Sequence, residues 1–206
     1  MDTKKKFLIT INREYGSGGH AIGSLLAQRL GVKLIDKQLL KAVAEKFGIS
    51  ELDAERLENK RPSWWEDFAM FYKRFISVNP YEEGIQPEIT SRQLFYAQAT
   101  AMRQIVAKES CVIIGRCAFD IFKDEPNSLR LFVHAPMEKR VERIVSRYHC
   151  SDAEARQRIA DSDYQRQLYT KTFTGKEVFD ARNYDFTMNV GNIGVNGAVE
   201  FLMRIL

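Results

Sequence analysis

The sequence predicts an α/β domain built on a five-stranded parallel sheet, and three observations carry that prediction. Short β-branched apolar runs recur along the chain, amphipathic helical stretches separate them, and a glycine cluster joins the first run to the first helix. Strands that alternate with helices form a parallel sheet covered on both faces, whose ligands sit at the carboxyl ends of the strands. Phe7–Asn12 (FLITIN) reads as the first strand, and AIGSLLAQRL as a helix that Gly31 ends. VKLID then forms a second strand with Asp36 at its carboxyl end, and KQLLKAVAEKF a helix. The texture changes over 49–89, where an acidic stretch, the aromatic WWEDFAMFYKRF and the turn-rich NPYEEGIQPE suggest a helical insertion. Thr90 is placed to cap a helix reaching about Ser110. CVIIG and SLRLFVHA follow as strands joined by a short helical connection, then PMEKRVERIVSRY as a helix. Ser151 and Glu154 fit the S-x-x-E capping box that starts the next helix, which carries DSDYQRQ. TFTGKEVFDARN reads as a loop, YDFTMNV as the fifth strand and NGAVEFLMRIL as the last helix.

Composition narrows the partners. A chain of 206 residues that is 45% hydrophobic can bury one sizeable core, so a single domain, 1–206, with insertions is expected. The 31 Lys and Arg nearly balance 27 Asp and Glu, which fits a small anionic ligand better than a nucleic-acid surface. After MDTKKK the apolar run is too short for a signal core or a membrane span, so a soluble cytoplasmic protein with no membrane partner is expected. Cys111, Cys117 and Cys150 form no CxxC pair, and His20, His134 and His149 are scattered, so neither a disulfide framework nor a metal cluster is expected.

Between the first strand and helix stands Asn12-Arg13-Glu14-Tyr15-Gly16-Ser17-Gly18-Gly19-His20. Glycines there let consecutive backbone N–H groups turn inward, and the helix adds its positive N-terminus, so the loop can cradle phosphate oxygens. Two readings stand side by side. Gly16, Gly18 and Ala21 match the dinucleotide pattern G-x-G-x-x-A, with Asp36 where a ribose-binding acid belongs. Against it, Arg13, Glu14 and Tyr15 separate the strand from the first glycine and suggest the longer loop of a P-loop.

At ITINREYGSGGHAIGSLLAQRL, VIIGRCA, APMEKRVERI and DSDYQR the chain resembles the cytidylate kinase-like family, a branch of the P-loop nucleoside monophosphate kinases. The resemblance implies a three-layer P-loop NTPase fold with strand order 2-3-1-4-5, a monophosphate-binding insertion at 49–89 and a lid at 148–180. It also implies ATP and Mg2+ as cosubstrate and a nucleoside monophosphate as acceptor. The chain departs from the P-loop pattern G-x-x-x-x-G-K-[ST], however. With Gly18 as its second glycine, Arg13 falls on the first, Gly19 on the lysine and His20 on the Ser/Thr position. The missing lysine ordinarily neutralises charge on the departing phosphoryl group. Arg13, Lys37 and Arg116 are the candidate replacements, since each stands at or just beyond the end of a strand. Magnesium prefers oxygen over His20, so Ser17 or a carboxylate with water is expected to help.

Arg140, Arg143 and Arg147 share one helical face, either as a solvated face paired with Glu138 and Glu142 or as a functional one; the resemblance implies that Arg140 and Arg143 lie beside the ATP base and phosphates at the root of the lid. The resemblance assigns Asp163 and Arg166 to the pyrimidine monophosphate, and the family's additional arginine falls on Ile159. Arg116 occupies the arginine of the family's G-R-D, with Cys117 in place of the aspartate, so the ribose contact that aspartate would make is either missing or supplied by Asp120. Asp36 faces the monophosphate in these kinases, and it could also cap a helix. Arg92 and Arg103 are either grips for the acceptor phosphate or surface arginines. The cluster Trp64, Trp65, Phe68, Phe71, Tyr72 and Phe75 is either insertion core or a base-stacking platform. Cys117, beside Arg116, is a candidate for a lowered pKa. Three functions follow: a monophosphate kinase, a non-catalytic nucleotide-binding protein that has lost the lysine, and a nicotinamide-dependent oxidoreductase.

Overall fold

The five strands predicted from the apolar runs are all present and all parallel. A computed structural model describes residues 1–36 and 91–206, the side chains of residues 91–94 and 97 excepted. The elements are β1 (Leu8–Arg13), α1 (Gly19–Leu30), β2 (Lys33–Ile35), α2 (Ser91–Lys108), β3 (Cys111–Ile114), α3 (Ala118–Ile121), β4 (Ser128–His134), α4 (Met137–Tyr148), α5 (Asp152–Thr174), a 3-10 turn (Ala181–Asn183), β5 (Phe186–Asn189) and α6 (Gly194–Ile205). The sheet order is β2-β3-β1-β4-β5, the 2-3-1-4-5 arrangement expected. The chain divides into two compact units, Met1–Asp36 with Glu109–Leu206, and Lys37–Lys108. Of the second unit only α2 is described. The expected helix KQLLKAVAEKF, the 49–89 insertion with its aromatic cluster, Lys37 and the Thr90 cap lie outside the described residues.

In the first unit, β1 is central because β3 and β4 pair with it on either side: Leu8 aligns with both Cys111 and Ser128, and Ile11 with both Ile114 and Leu131. A strand with neighbours on both edges and layers on both faces must be apolar throughout, and Leu8, Ile9, Thr10, Ile11 and Asn12 are all buried. On one face Ile9, Ile11, Val112, Leu131 and Val133 meet Ile22 and Leu26 of α1 and Ala198, Val199 and Leu202 of α6. A second cluster joins Phe119 of α3 and Phe132 of β4 to Val178 and Tyr184. There Asn12 Nδ2 donates to the Tyr184 hydroxyl at 2.9 Å, and that hydroxyl donates to Val178 O at 2.7 Å.

A third small cluster, Val141, Ile144, Ala155 and Ile159, fastens α4 to α5. Ile159, where the family's extra arginine falls, therefore serves packing. The Ser151 capping box is formed as read: the Ser151 hydroxyl accepts from Glu154 N, and the Glu154 carboxylate accepts from Ser151 N at 2.9 Å. α5 runs three residues into the segment read as a loop, through Thr174, because nothing breaks it before Gly175, whose φ of 71° closes the helix. Thr174 Oγ1 donates to Thr170 O at 2.7 Å and holds that last turn. Among the described residues no helix is long and apolar enough to cross a membrane.

Candidate active site

The parallel register brings Arg13, Asp36, the Gly115–Arg116 turn and the glycine-rich loop to one edge of the sheet. The loop owes its shape to Gly16 and Gly18, at φ of 78° and 92°. Gly18 is the N-cap of α1, offers no side-chain cap, and is followed by no acidic residue in the first turn. The first N–H groups of a helix have no intrahelical acceptor, so this terminus is left for an anion from outside. Ser17 is fully buried and its hydroxyl donates to Glu14 O at 2.9 Å, which turns it inward and away from a ligand. Glu14, a residue the sequence did not single out, anchors the loop to β4: its N–H donates to Val133 O at 3.0 Å and its carboxylate accepts from Ala135 N at 3.2 Å.

The three α4 arginines behave differently. Arg140 is buried at 6% exposure, donates through Nη1 to Asp163 Oδ2 at 2.6 Å and to Tyr15 O at 3.3 Å, and lies 3.5 Å from Glu14 through Nε. Arg143 reaches the loop directly, its Nη1 donating to Gly16 O at 2.5 Å. Arg147 is exposed, with its guanidinium 5.6 Å from the Tyr148 ring centroid. Glu138 pairs with Arg156 and Glu142 with Lys139, so neither of these carboxylates answers the three arginines. Lys139, Glu142, Arg143, Ser146 and Arg147 line an open cleft of about 400 Å³.

Arg13 turns to the other side of β1. A Cβ at Gly19 would lie 2.6 Å from Arg13 Cβ, and one at Gly115 would collide with Arg13 Nη1, so two glycines make room for this one side chain. Gly115, Arg116 and Cys117 have successive φ values of 72°, 57° and 56°, a left-handed turn that is strained at the two non-glycine residues. Arg116 lies 5.3 Å from the Tyr169 ring centroid. Arg13 has no hydrogen bond or ion pair among the described residues, and its pKa is pulled down to about 10 by burial and then by the charges of Arg166 and Arg116, with Asp36 and Asp163 opposing. Arg166 is lowered too, by burial first, and is held by Asp163 at 3.0 Å. Asp36 faces His20 Nε2 at 3.1 Å.

The sequence profile of the cytidylate kinase-like family matches residues 8–192. The chain belongs to that family. It is 25% identical to a cytidylate kinase of Methanococcoides burtonii over 183 residues, covering 88% of this chain and 86% of that one. It is also 25% identical to a cytidylate kinase of Pyrococcus horikoshii over 196 residues, covering 94% and 85%. Among solved structures it superposes on an uncharacterized protein of Eubacterium ventriosum with TM-score 0.71 at 22% identity, covering 97% of this chain and 98% of that one. It superposes on the shikimate kinase of Bacteroides thetaiotaomicron with TM-score 0.50 at 13% identity, covering 97% of each. The fold is that of the P-loop kinases, and family membership supports a nucleotide kinase-like function.

Set beside the family, several expected residues converge and others do not. Arg13, Arg116, Asp36, Asp163 and Arg166 interact electrostatically around one point, and Arg140 and Arg143 grip the loop. Asp120, the substitute ribose contact, is instead paired with Lys176 at 2.7 Å. Cys117 does not have a lowered pKa: burial pushes it up to about 12, so it is a packed thiol. Arg103 is exposed on α2, and the Arg92 side chain lies outside the described residues. Among the described residues no three His, Cys, Asp or Glu gather as a metal site. With the Ser17 hydroxyl turned inward and His20 on Asp36, the residues fit a magnesium ion held mainly by nucleotide phosphates and water, as that ion prefers. The sequence reading missed Glu14, Tyr15 and Tyr169, although Glu14 and Tyr15 stand inside the loop motif.

Proposed function

We propose that the protein transfers the terminal phosphoryl group of ATP, carried with Mg2+, to a nucleoside monophosphate of the cytidylate type. One observation carries the reading: at the ligand-binding edge of a P-loop kinase fold, cations outnumber the groups that answer them. Arg13 has no partner among the described residues, Arg116 has the Tyr169 ring, and Arg143 has one carbonyl. Buried cations are stable only when anions meet them, and a triphosphate with a phosphate acceptor supplies those anions. In this reading the backbone from Gly16 to His20 cradles the donor phosphates, with Arg140, Arg143 and Arg147 along them. Arg116, Asp36 and Arg166 receive the acceptor. The chain acts as one kinase-like domain, with 49–89 as its insertion and 148–180 as the lid.

Chemically, an acceptor phosphate oxygen attacks the γ-phosphorus, the bond to the β-phosphate oxygen breaks, and ADP leaves. The attacking oxygen is already ionised, so positioning and charge neutralisation do the catalysis. Arg13, lying across the gap from loop to β3, takes over neutralisation from the missing lysine. Gly19 at the lysine position favours a second reading, a nucleotide-binding protein without turnover. The nicotinamide reading has lost its basis, since β3 stands between β1 and β2, unlike the dinucleotide fold, in which β2 lies beside β1.

The test is ADP release from ATP and magnesium across a panel of nucleoside monophosphates. Turnover dependent on a cytidine monophosphate is expected. ATP binding without turnover on any acceptor would leave the non-catalytic reading in its place.

A further inference from the structure

Asp163 accepts three hydrogen bonds beside the glycine-rich loop, and they leave little of its carboxylate for a nucleotide base. Its Oδ1 accepts from Tyr15 N at 2.7 Å and from Arg166 Nη1 at 3.0 Å, and its Oδ2 accepts from Arg140 Nη1 at 2.6 Å. A carboxylate has about four lone-pair directions, so three of them are already occupied. The contacts hold both backbone groups of one residue of the glycine-rich loop, Tyr15, and the carbonyl of the next. Tyr15 N–H is held by Asp163, Tyr15 C=O by the arginine that Asp163 orients, and the next carbonyl, that of Gly16, by Arg143. The Tyr15 side chain is held as well, its ring 5.4 Å from the Arg166 guanidinium and its hydroxyl 3.2 Å from that of Tyr148.

Position makes this arrangement mechanical. Asp163 belongs to α5, which Ala155 and Ile159 fasten to α4 through Val141 and Ile144. The carboxylate is thus projected from a packed helix onto a loop that two left-handed glycines leave otherwise pliable. A loop that cradles phosphates gains affinity when its N–H groups are ordered before the ligand arrives.

We propose that Asp163 is a positioning residue of the glycine-rich loop, setting the Tyr15 peptide for the donor phosphates, and that it does not select the acceptor's base. The inference rests on the reading of the loop as the donor nucleotide site, and it moves discrimination among acceptors to groups other than this carboxylate.

Asp163→Ala in the full chain tests it by amide hydrogen exchange and by ADP affinity with magnesium. Exchange at Tyr15 is expected to rise roughly tenfold or more while β1 amides keep their protection, since the acceptor of Tyr15 N–H is lost. ADP affinity is expected to fall by about tenfold, and the preference for cytidine over uridine monophosphate to stay within about twofold. Unchanged Tyr15 exchange, unchanged ADP affinity, or a base preference shifted by about tenfold would each overturn the proposal. If the wild-type chain binds no ADP, the kinase reading falls and with it the donor role, whereas a failure confined to the variant's exchange and affinity leaves that reading standing. Arg166→Gln is the contrast: Tyr15 protection is retained because Asp163 and Arg140 remain. Should the single variant not fold, Asp163→Ala with Arg140→Met removes the stranded buried charge, and Tyr15 exchange decides the matter.

Discussion

The two flanks of β1 carry similar residues in opposite states. On the α4–α5 flank, Arg140 is buried among Asp163, Glu14 and the Tyr15 carbonyl. On the β3 flank, Arg13 is enclosed beside Arg116 and Arg166, and no carboxylate among the described residues bonds to it. An answered cation holds a loop in place, whereas an unanswered one raises the energy of the unliganded protein and is relieved when an anion binds. In the proposed reading the first flank serves as frame and the second as receptor.

Removing Arg140 should break the frame. Arg140→Ala removes the buried cation that faces Asp163 and Glu14 and is expected to cost about 3 kcal/mol of folding stability, read by chemical denaturation. A loss below about 1 kcal/mol would mean that the flank is not held this way.

Removing Arg13 should do the reverse. Arg13→Ala is expected to lower kcat by roughly 10²-fold, the scale of one transition-state cation or donor, while the melting temperature holds or rises. Its pH dependence follows from the lowered pKa. The unfolded chain holds the Arg13 proton more tightly than the folded one, so the burden on stability is full below about pH 10 and is relieved as pH rises from there toward the ordinary arginine value. Activity carried by the charged form fades over the same rise, and a wild-type profile lacking that alkaline limb, with an Arg13→Ala variant of equal rate, would place the neutralising charge elsewhere.

The smallest effect belongs to neither flank. Ser151→Ala removes one half of the capping box and is expected to cost about 1 kcal/mol with kcat unchanged. A kinetic effect would show that the start of α5 is linked to the site.

The contrast between the flanks also marks what the sequence could reveal. Strands, order and helix ends were legible because apolar runs, Gly31 and the Ser151–Glu154 spacing are local signals, and because the family motifs carry the topology. Even the α5 overrun was a local matter, decided by Gly175. The arginines were legible as a helical face, yet their separate roles were not. Arg140 and Asp163 lie 23 residues apart and Tyr15 and Asp163 lie 148 apart, so only the assembled sheet and the α4–α5 contact reveal the clamp. Likewise, nothing local to Gly115 announces that it makes room for an arginine 102 residues earlier, a separation read from 115 − 13.

The close approach at Gly19 reaches beyond this one molecule. Any residue with a Cβ at that position would meet Arg13 Cβ at 2.6 Å, a backbone-fixed collision that no rotamer relieves. A lysine at position 19 and an arginine at position 13 are thus mutually exclusive in this backbone. Moving between the two phosphate cations is a paired exchange, and a mutational path that changes position 19 first passes through a form worse than either end. Engineering the ordinary P-loop lysine into this scaffold accordingly begins at position 13.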